Sequence, residues 1–535
     1  MATEPRRRKF WGWGYEGEGV TAEEREMLAA FYAERFGADD FGDPAPPRED
    51  EFDLAKPRIT PPTALEAICT SDPHERLVHA YGKSFADAVR VFARHVPPAP
   101  DVIVYPENET DVAAVLDWAD GAGAAVIPFG GGSSVVGGIE PRVGDGYKGT
   151  ISLDLGKLDQ VLEIDTTSRA ARIQAGIMGP ALEGRLKQEG LTLRHFPQSF
   201  EYSTLGGWIA TRSGGHYASL YTHIDDFVES LRTVTPAGVM ESRRLPGSGA
   251  GPSPDRMMIG SEGALGVITE AWMRLQDRPS FRASASVRYK GFKAATEAVR
   301  ALSQSWLFPT NCRLLDAGEA QLNGAGDGSV HILVLGFESA DHPVEPWMAR
   351  ALELAADHGG VWDTPGEAGD SHKAGVVGAW RNAFIRMPYF REASIGWGVI
   401  ADTFETAITW DRFDEFHAGV MARVHQAIAD ATGAPGIVTC RFTHIYPDGP
   451  APYYSFRAMG DRTRLLDQWS EIKTAASDVV VDLGGTITHH HAVGRDHQPW
   501  YDRQRPALFG AALKAAKGAL DPNGIMNPGV VVGLS

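Results

Sequence analysis

Apolar and polar positions along this chain follow two rhythms, separated by stretches with none. Ala22–Phe36 carries apolar residues at helical spacing behind Glu23, Glu24 and Glu26, acidic side chains that suit the positive end of a helix. Residues 36–63 (FGADDFGDPAPPREDEFDLAKPRITPP) lose that periodicity and predict an irregular surface connection. From about residue 100, short strands alternate with helices. IVYP (103–106) predicts a strand, Thr110 a cap for the helix DVAAVLDWADGAG, and AAVIPF (124–129) a buried strand. ISLDL (151–155), VLEID (161–165) and AARIQAG (170–176) alternate with period two. MGPALEGRLKQEG then reads as a helix with proline near its start and glycine at its end. These elements make an α+β module of roughly 180 residues closing near Gln276.

A second region repeats the rhythm. FRASASVRYKGF (281–292) and VHILVLGFE (330–338) predict strands, while KAATEAVRALSQSW and VEPWMARALELAADHGG predict helices. The β-α-β-β-α-β order predicts an antiparallel sheet with helices on one face, capping the first module. The last helix, LFGAALKAAKGALDPNG, stops at Pro522 and Gly524.

Composition narrows the function classes. A length of 535 residues suits two or three domains, and 43% hydrophobic with 22% charged residues is ordinary for a globular protein. A net charge of −18 argues against nucleic acid as a partner. Any anionic substrate must be met by a few local arginines. Three scattered cysteines, Cys69, Cys312 and Cys440, indicate neither a disulfide framework nor a metal knuckle, and fit a reducing interior. No apolar run reaches the roughly 20 residues of a membrane span. The basic, aromatic start, MATEPRRRKFWGWGYEG, lacks the apolar core of a secretory signal, and its Trp11, Trp13 and Tyr15 are expected to pack onto the body of the protein. The terminal Gly-Leu-Ser is not a peroxisomal address.

Candidate chemistry sits at two distant places. PFGGGSSVVGG (128–138) ends the strand AAVIPF, and its successive glycines let backbone N–H groups close on an anion, with Ser133 and Ser134 adding hydroxyls. Alone, such a loop serves structure as readily as a ligand. It matches neither the nicotinamide-type fingerprint nor the P-loop. GGTITHHHAVG (484–494) presents His489, His490 and His491. Histidine is the side chain suited to proton transfer near neutral pH. An extended backbone there would put His489 and His491 on one side and His490 on the other. The competing readings are a metal pair or surface histidines, and no third or fourth ligand is evident from spacing, so no metal is expected.

Two further glycine-rich segments bring in a family. In order, VYPENETDVAAV, PFGGGSS, STLGGWIATRSGG (203–215) and GSEGALGVIT (260–269) resemble the PCMH-type FAD-binding domain of the vanillyl-alcohol oxidase superfamily. That resemblance implies an FAD site in which Pro128, Phe129, Gly130, Gly131, Gly132, Ser133 and Ser134 hold the pyrophosphate. Gln198, Ser199, Glu201, Ser203, Thr204, Gly207, Thr211, Arg212, Ser213 and Gly214 would line the ribityl and isoalloxazine portions. Glu262, Gly263, Ala264, Leu265, Gly266, Val267 and Ile268 would hold the flavin and adenine side through backbone contacts. Serines stand in the loop where many members tether flavin through His or Cys, so the FAD is expected to be noncovalent.

The second half resembles the alkyldihydroxyacetonephosphate synthase family. RKFWGWGYE, NCRLLD (311–316), PYFRE (388–392), DTFETAITWDRF (402–413), TCRFTHIYPDGPAPYYSF (439–456) and THHHAVG (488–494) carry that resemblance. It implies a two-subdomain FAD-binding domain with an α+β cap: an N-terminal extension over 1–95, the FAD domain over 96–277, and the cap over 278–485. A histidine loop and C-terminal helix over 486–535 would return to the FAD domain. The implied reaction exchanges the acyl chain of an acyl-dihydroxyacetone phosphate for a fatty alcohol. It is redox-neutral, with flavin N5 holding the substrate as an adduct while the carboxylate leaves. By the same resemblance Tyr453 is the catalytic tyrosine, with Tyr454 a second aromatic beside it. Arg391 binds the phosphate, Arg313 lies near flavin and substrate, and Arg441 is a third arginine candidate. On residues alone, Tyr453 reads as packing and each arginine as a salt-bridge group. The chain departs from the family at Gln198, where an acidic residue is typical, at Ala492, where glycine usually follows the histidines, and in the stretch 213–215. The expected setting is a cytoplasmic homodimer, peripherally membrane-associated because its substrates are lipids. The alternatives are an FAD-dependent D-2-hydroxyacid dehydrogenase or oxidase, disfavoured by His490 in place of an acidic residue, and a flavin-binding protein without activity.

Overall fold

The structure is a computed structural model describing residues 6–42, 45–96, 98–221, 223–363 and 386–533; Met1–Pro5 and the terminal Leu534 and Ser535 of the sequence reading lie outside it. A first sheet runs in the order β1-β2-β4-β3, from β1 (Cys69–Thr70), β2 (Val102–Val104), β3 (Ala124–Phe129) and β4 (Gly149–Asp154). β2, β4 and β3 are parallel, and β4 is buried at every position. That is why their sequences are runs of apolar and small residues rather than alternating ones. The crossover helix Glu109–Ala122 is capped by Asn108, whose side chain accepts the Asp111 N–H at 3.0 Å. Thr110, the expected cap, lies inside the first turn, because Asn108 is already in extended backbone and reaches the exposed N–H first.

A second, antiparallel sheet has the order β5-β6-β10-β8-β9, from β5 (Val161–Asp165), β6 (Ala170–Gln174), β8 (Val228–Thr235), β9 (Gly238–Glu241) and β10 (Val267–Arg274). β7 (Leu191–Thr192) and β11 (Gln276–Asp277) form a two-stranded pair beside it. Helices Gly179–Lys187 and Leu205–Thr211 pack on its inner face through Leu182, Leu186, Leu205 and Trp208.

The third sheet is antiparallel and six-stranded, in the order β12-β14-β13-β16-β17-β15. Its strands are β12 (Phe281–Tyr289), β13 (Asn311–Leu315), β14 (His331–Ser339), β15 (Val399–Glu405), β16 (Ile437–Ile445) and β17 (Pro450–Met459). Helices Phe292–Gln304, Glu345–Asp357, Phe413–Thr432 and Leu465–Asp482 contribute to the core on one face. Side chains alternate along β17: Tyr454, Phe456 and Ala458 enter that core, leaving Tyr453, Ser455 and Arg457 on the other face. Residues of that other face, among them Arg441 and Thr443 of β16 and Tyr453 of β17, line a cleft opposite the loop that follows β3.

The two ends of the chain close the assembly. After helix Ala507–Leu520, the Val126 N–H donates to Ile525 O and the Asn527 N–H to Val126 O, at 2.8 and 2.9 Å, tying the C-terminal segment to β3. At the other end, Lys9 Nζ and the Trp13 N–H reach the Glu392 carboxylate at 3.1 and 3.2 Å, and Trp13 is almost fully buried. No helix among the described residues is long and apolar enough to cross a membrane.

Candidate active site

A cleft of about 1600 Å³, open mouth included, lies between the glycine loop and the polar face of the third sheet. One wall is Pro128–Ser134, with Gln198, Ser199, Ser203, Thr204, Gly207, Thr211, Ser213 and Gly214 beside it, and Glu262, Gly263, Gly266 and Ile268 below. The opposite wall carries Arg313, Arg441, His444, Tyr453, His490 and His491. Five expected cofactor residues have side chains elsewhere. Glu201 is exposed, Arg212 pairs with Asp225 at 2.8 Å, and Ala264, Leu265 and Val267 point into apolar clusters behind the wall.

The loop fits a pyrophosphate-bearing cofactor on its own geometry. Among the described residues, the backbone N–H groups of Gly131, Gly132, Ser133 and Ser134 donate to no acceptor of the chain, and all four residues face the cleft. Such a cluster of free donors suits an anion. Gly132 sits at φ +70°, and a Cβ there would meet the Phe129 ring at 2.6 Å, so only glycine makes this turn.

The histidine segment is bent, not extended, and the alternation expected for it does not hold: His489 Nδ1 and His490 Nδ1 face each other at 3.0 Å. The reason is Glu405, at the end of β15. Its buried carboxylate accepts the backbone N–H groups of His489, His490 and His491 at 2.6, 3.1 and 2.8 Å, and the Thr488 hydroxyl at 2.6 Å. A strand could not aim three consecutive N–H groups at one carboxylate. Two residues further on, Glu262 accepts the N–H groups of Val493 and Gly494 at 2.8 and 2.9 Å. One carboxylate from the third sheet and one from the flavin-side wall therefore clamp the loop from both ends. Between them Ala492 adopts φ +74°, the left-handed conformation that favours glycine.

His489 stands behind the cleft wall. Its Nε2 lies 2.8 Å from Tyr446 Oη, which also hydrogen-bonds His223 Nε2. His444, from β16, stacks on His489 at 5.0 Å between ring centroids, with its Nε2 3.0 Å from Gly215 O. His444, His489 and His490 bring one nitrogen each within 4.8 Å of one another, a third partner that spacing along the sequence did not reveal. Both His489 nitrogens and His490 Nδ1 are already in hydrogen bonds.

Electrostatics separates the groups. Burial and neighbouring histidines push His489, His490 and His444 well below the ordinary histidine range, and burial lowers His491. Burial alone would raise Glu405, but the imidazoles of His491 and His489 and the Thr488 and His490 donors outweigh it and hold it down to about 2. Carboxylate and imidazoles titrate as one coupled group; four donors converge on Glu405, so the negative charge resides there and the imidazoles are neutral. Glu262, by contrast, is pushed up to about 7 by burial.

Tyr453 is buried, with its ring 6.0 Å from His490, 5.5 Å from His491 and 4.0 Å from the Arg441 guanidinium. Its hydroxyl donates to Thr403 Oγ1 at 3.0 Å. Burial raises its pKa against the pull of Arg441 and Thr403, leaving a protonated phenol. Arg441 is buried against Glu319 at 2.6 Å. Arg313 is lowered to about 9 by burial and Arg441, and stays cationic at neutral pH. Arg391 lines an adjoining cavity, pairing with Asp402 at 3.3 Å and donating to Lys83 O. The residues that sequence reasoning did not single out are Glu405, Glu262 in its clamping role, His444, Tyr446 and His223. Glu405, Glu262, His444 and Tyr446 lie in segments quoted for other residues, and His223 lies in none.

Comparison with known proteins gives a consistent picture. Residues 100–242 match the FAD binding domain family, and residues 278–531 the family described as FAD linked oxidases, C-terminal domain. The chain is 32% identical over 490 residues to an alkyldihydroxyacetonephosphate synthase of Dictyostelium discoideum, covering 85% of this chain and 77% of the relative. It is 26% identical to the glycolate oxidase subunit GlcD of Bacillus subtilis, over 86% of this chain and 97% of that one. A solved structure of alkyldihydroxyacetonephosphate synthase superposes with a TM-score of 0.80 at 26% identity, over 97% of this chain and 98% of that chain.

Proposed function

The chain belongs to the alkyldihydroxyacetonephosphate synthase family, and from that premise we propose that it exchanges the acyl chain of an acyl-dihydroxyacetone phosphate for a fatty alcohol, with FAD as cofactor. The bond broken joins the ketone's methylene carbon to the acyl oxygen, and the bond formed joins that carbon to the alcohol oxygen. The products are an ether, a fatty acid carboxylate and a proton. Bound FAD supplies ring chemistry that carries the exchange without net oxidation, so no electron acceptor is consumed.

The observation that carries this reading is the meeting of a donor-rich glycine loop with neutral imidazoles and a protonated tyrosine across one cleft. In this reading, His490 and His491 are the bases: a neutral imidazole accepts a proton from substrate carbon or from the incoming alcohol. Tyr453, protonated, turns its hydroxyl proton from Thr403 to the departing carboxylate's oxygen. Arg313 and Arg441 supply positive charge on the same wall. Arg391 meets the phosphate. His489, behind the wall, orients His490 through the Nδ1 contact rather than touching substrate.

The finer readings belong to the same proposal: residues 96–277 as cofactor domain, 278–485 as cap, and a cytoplasmic homodimer that meets membranes peripherally. An exposed Trp306 beside Phe308 offers an aromatic tip for a membrane surface. Liposome flotation and sedimentation analysis test these. For the chemistry, purified flavoprotein is given palmitoyl-dihydroxyacetone phosphate and hexadecanol without an electron acceptor, and products are read by mass spectrometry. Hexadecyl-dihydroxyacetone phosphate with free palmitate is the expected result. Absence of the ether with flavin bound would overturn it in favour of an oxidase or dehydrogenase.

A further inference from the structure

Beside the flavin-side cleft, a second cavity opens between helix Ala22–Phe36, the turn at Met387–Phe390 and the β15 edge. Trp13, Val135, Gln198, Pro388, Tyr453 and His491 line both cavities, so a molecule lying against Tyr453 in one extends into the other. The charge of the second cavity is lopsided. Among the described residues of its wall, Asp402 is the sole carboxylate, while Arg391, Arg457 and Lys473 are all cations.

The cations come from three separate elements and are held apart. Arg391, on helix Phe390–Gly396, approaches Asp402 Oδ1 at 3.3 Å; Lys473, on helix Leu465–Asp482, approaches Oδ2 at 3.7 Å. Asp402 is fixed between them by the Trp469 indole N–H at 2.7 Å. Burial opposes its ionisation, but Lys473 and Arg391 keep its pKa below the usual value, so it serves as an anionic spacer. Their other bonds go to main-chain carbonyls, Lys473 to Thr403 O at 2.6 Å and Arg391 to Lys83 O, which neutralise nothing. Arg457 comes from β17, in register with Ala401 and on the face that carries Tyr453 and Ser455. Its Nη1 is buried and has no hydrogen-bond partner among the described residues. On the cavity wall three fixed cations face one carboxylate, with Glu319 acting on Arg457 and Asp496 on Lys473 from behind it, and a phosphate monoester near neutral pH carries about −1.5 to −2.

We infer that Lys473 and Arg457 complete, with Arg391, a dianion subsite that takes the phosphate end of the substrate while its reacting carbon lies against Tyr453. The identity of that phosphate as dihydroxyacetone phosphate rests on the proposed function; the preference for a dianion rests on the charges alone. Arg391 and Lys473, separated by Asp402, act on different oxygens, and Arg457 adds a planar donor from the sheet side.

The test uses the flavin-loaded full-length protein. Dihydroxyacetone phosphate is titrated into wild type, Lys473→Met, Arg457→Met and Lys473→Arg while the flavin spectrum is followed, with unphosphorylated dihydroxyacetone as control. Each Met variant is expected to weaken dihydroxyacetone phosphate binding by about tenfold or more, and to raise KM for palmitoyl-dihydroxyacetone phosphate far more than it lowers kcat. Lys473→Arg should recover most of the loss. Wild-type binding in both Met variants overturns the inference. Two variants are used so that loss of flavin from one leaves the other to decide. Should wild type bind the phosphate and the Met variants not, yet no ether form, the dianion subsite stands and the synthase reading falls.

Discussion

Glu405→Gln is the most informative single change, because it alters charge and hydrogen bonding in the loop while keeping shape. Glu405 Oε1 accepts Thr488 Oγ1, His490 N–H and His491 N–H, and Oε2 accepts the His489 N–H. A glutamine keeping its oxygen at the Oε1 position retains three weaker bonds and turns an NH2 group toward the His489 N–H, donor against donor. One lost charge-assisted bond costs about 1.5–3 kcal/mol, and weakening of the other three brings the total to roughly 3 kcal/mol. The Glu405 pKa is held down to about 2 on folding, so the stability it contributes is present above pH 4.5 and is lost as pH drops through about 2. At pH 7, hydrogen-exchange mass spectrometry of the peptide spanning 486–494 should therefore show amides exchanging on the order of 100-fold faster in the variant, while the sheet cores are unchanged. Turnover should fall in parallel, since His490 and His491 lose their fixed positions. Between pH 4.5 and about 2 the two proteins should converge progressively, because the loosened state takes up a proton first and the clamped carboxylate only near 2. Equal exchange at pH 7, or a gap undiminished between pH 7 and pH 2.5, would refute the clamp.

Three further outcomes are expected. Tyr453→Phe should keep FAD bound and cut ether formation by 100-fold or more, about 3 kcal/mol in the barrier, since the phenol is the only group it removes; turnover close to wild type would take the hydroxyl out of the chemistry. Ala492→Gly should stabilise the loop by about 1 kcal/mol, by relieving φ +74° at a buried position, and appear as slower exchange in the same peptide. Faster exchange would show the strain to be absent. Burial first, then His491 and His489, depress the His490 pKa, so the acid limb of kcat/KM should lie below pH 6.5; a limb at or above 6.5 would place a different base at the site.

The readability of the site from sequence followed how local each cause was. The glycine loop was legible because its requirement is local: a strand ends, and the backbone must turn at positive φ next to a bulky Phe129. An antiparallel sheet in the second region was legible from its strands at 281–292 and 330–338, but the strand carrying Tyr453 and the face it shows to the cleft were not, because Tyr453 and Tyr454 differ only in which side of one strand they occupy. The bend over 487–491 was not legible because nothing near it in sequence causes it. Glu405, which does, lies more than 80 residues upstream. Asn108 displaced Thr110 as a cap for the opposite reason: both candidates were local, and side-chain reach decided between them.

The clamp also makes the site conditional on how the parts of the chain dock. Glu405 belongs to the third sheet and Glu262 to the turn preceding β10, yet both hold the same loop, while the Asn527 amide donates to Glu262 O at 2.7 Å and to Gly138 O at 3.0 Å. Undocking the cap would exchange the loop's N–H bonds to Glu405 for bonds to water and so remove what bends the backbone. The loop is therefore ordered only when sheet, glycine-loop module and C-terminal segment are in contact. The two carboxylates differ in a way that fits this division. Glu405, ionised far below neutral pH, fixes the histidines under all working conditions. Glu262, with a pKa near 7, holds its end of the loop through a charge that varies around neutrality. Because burial raises the Glu262 pKa, the closed arrangement favours its protonated form, so the Val493–Gly494 end should loosen as pH rises from about 4.5 through about 7, whereas the His489–His491 end loosens as pH falls below 4.5.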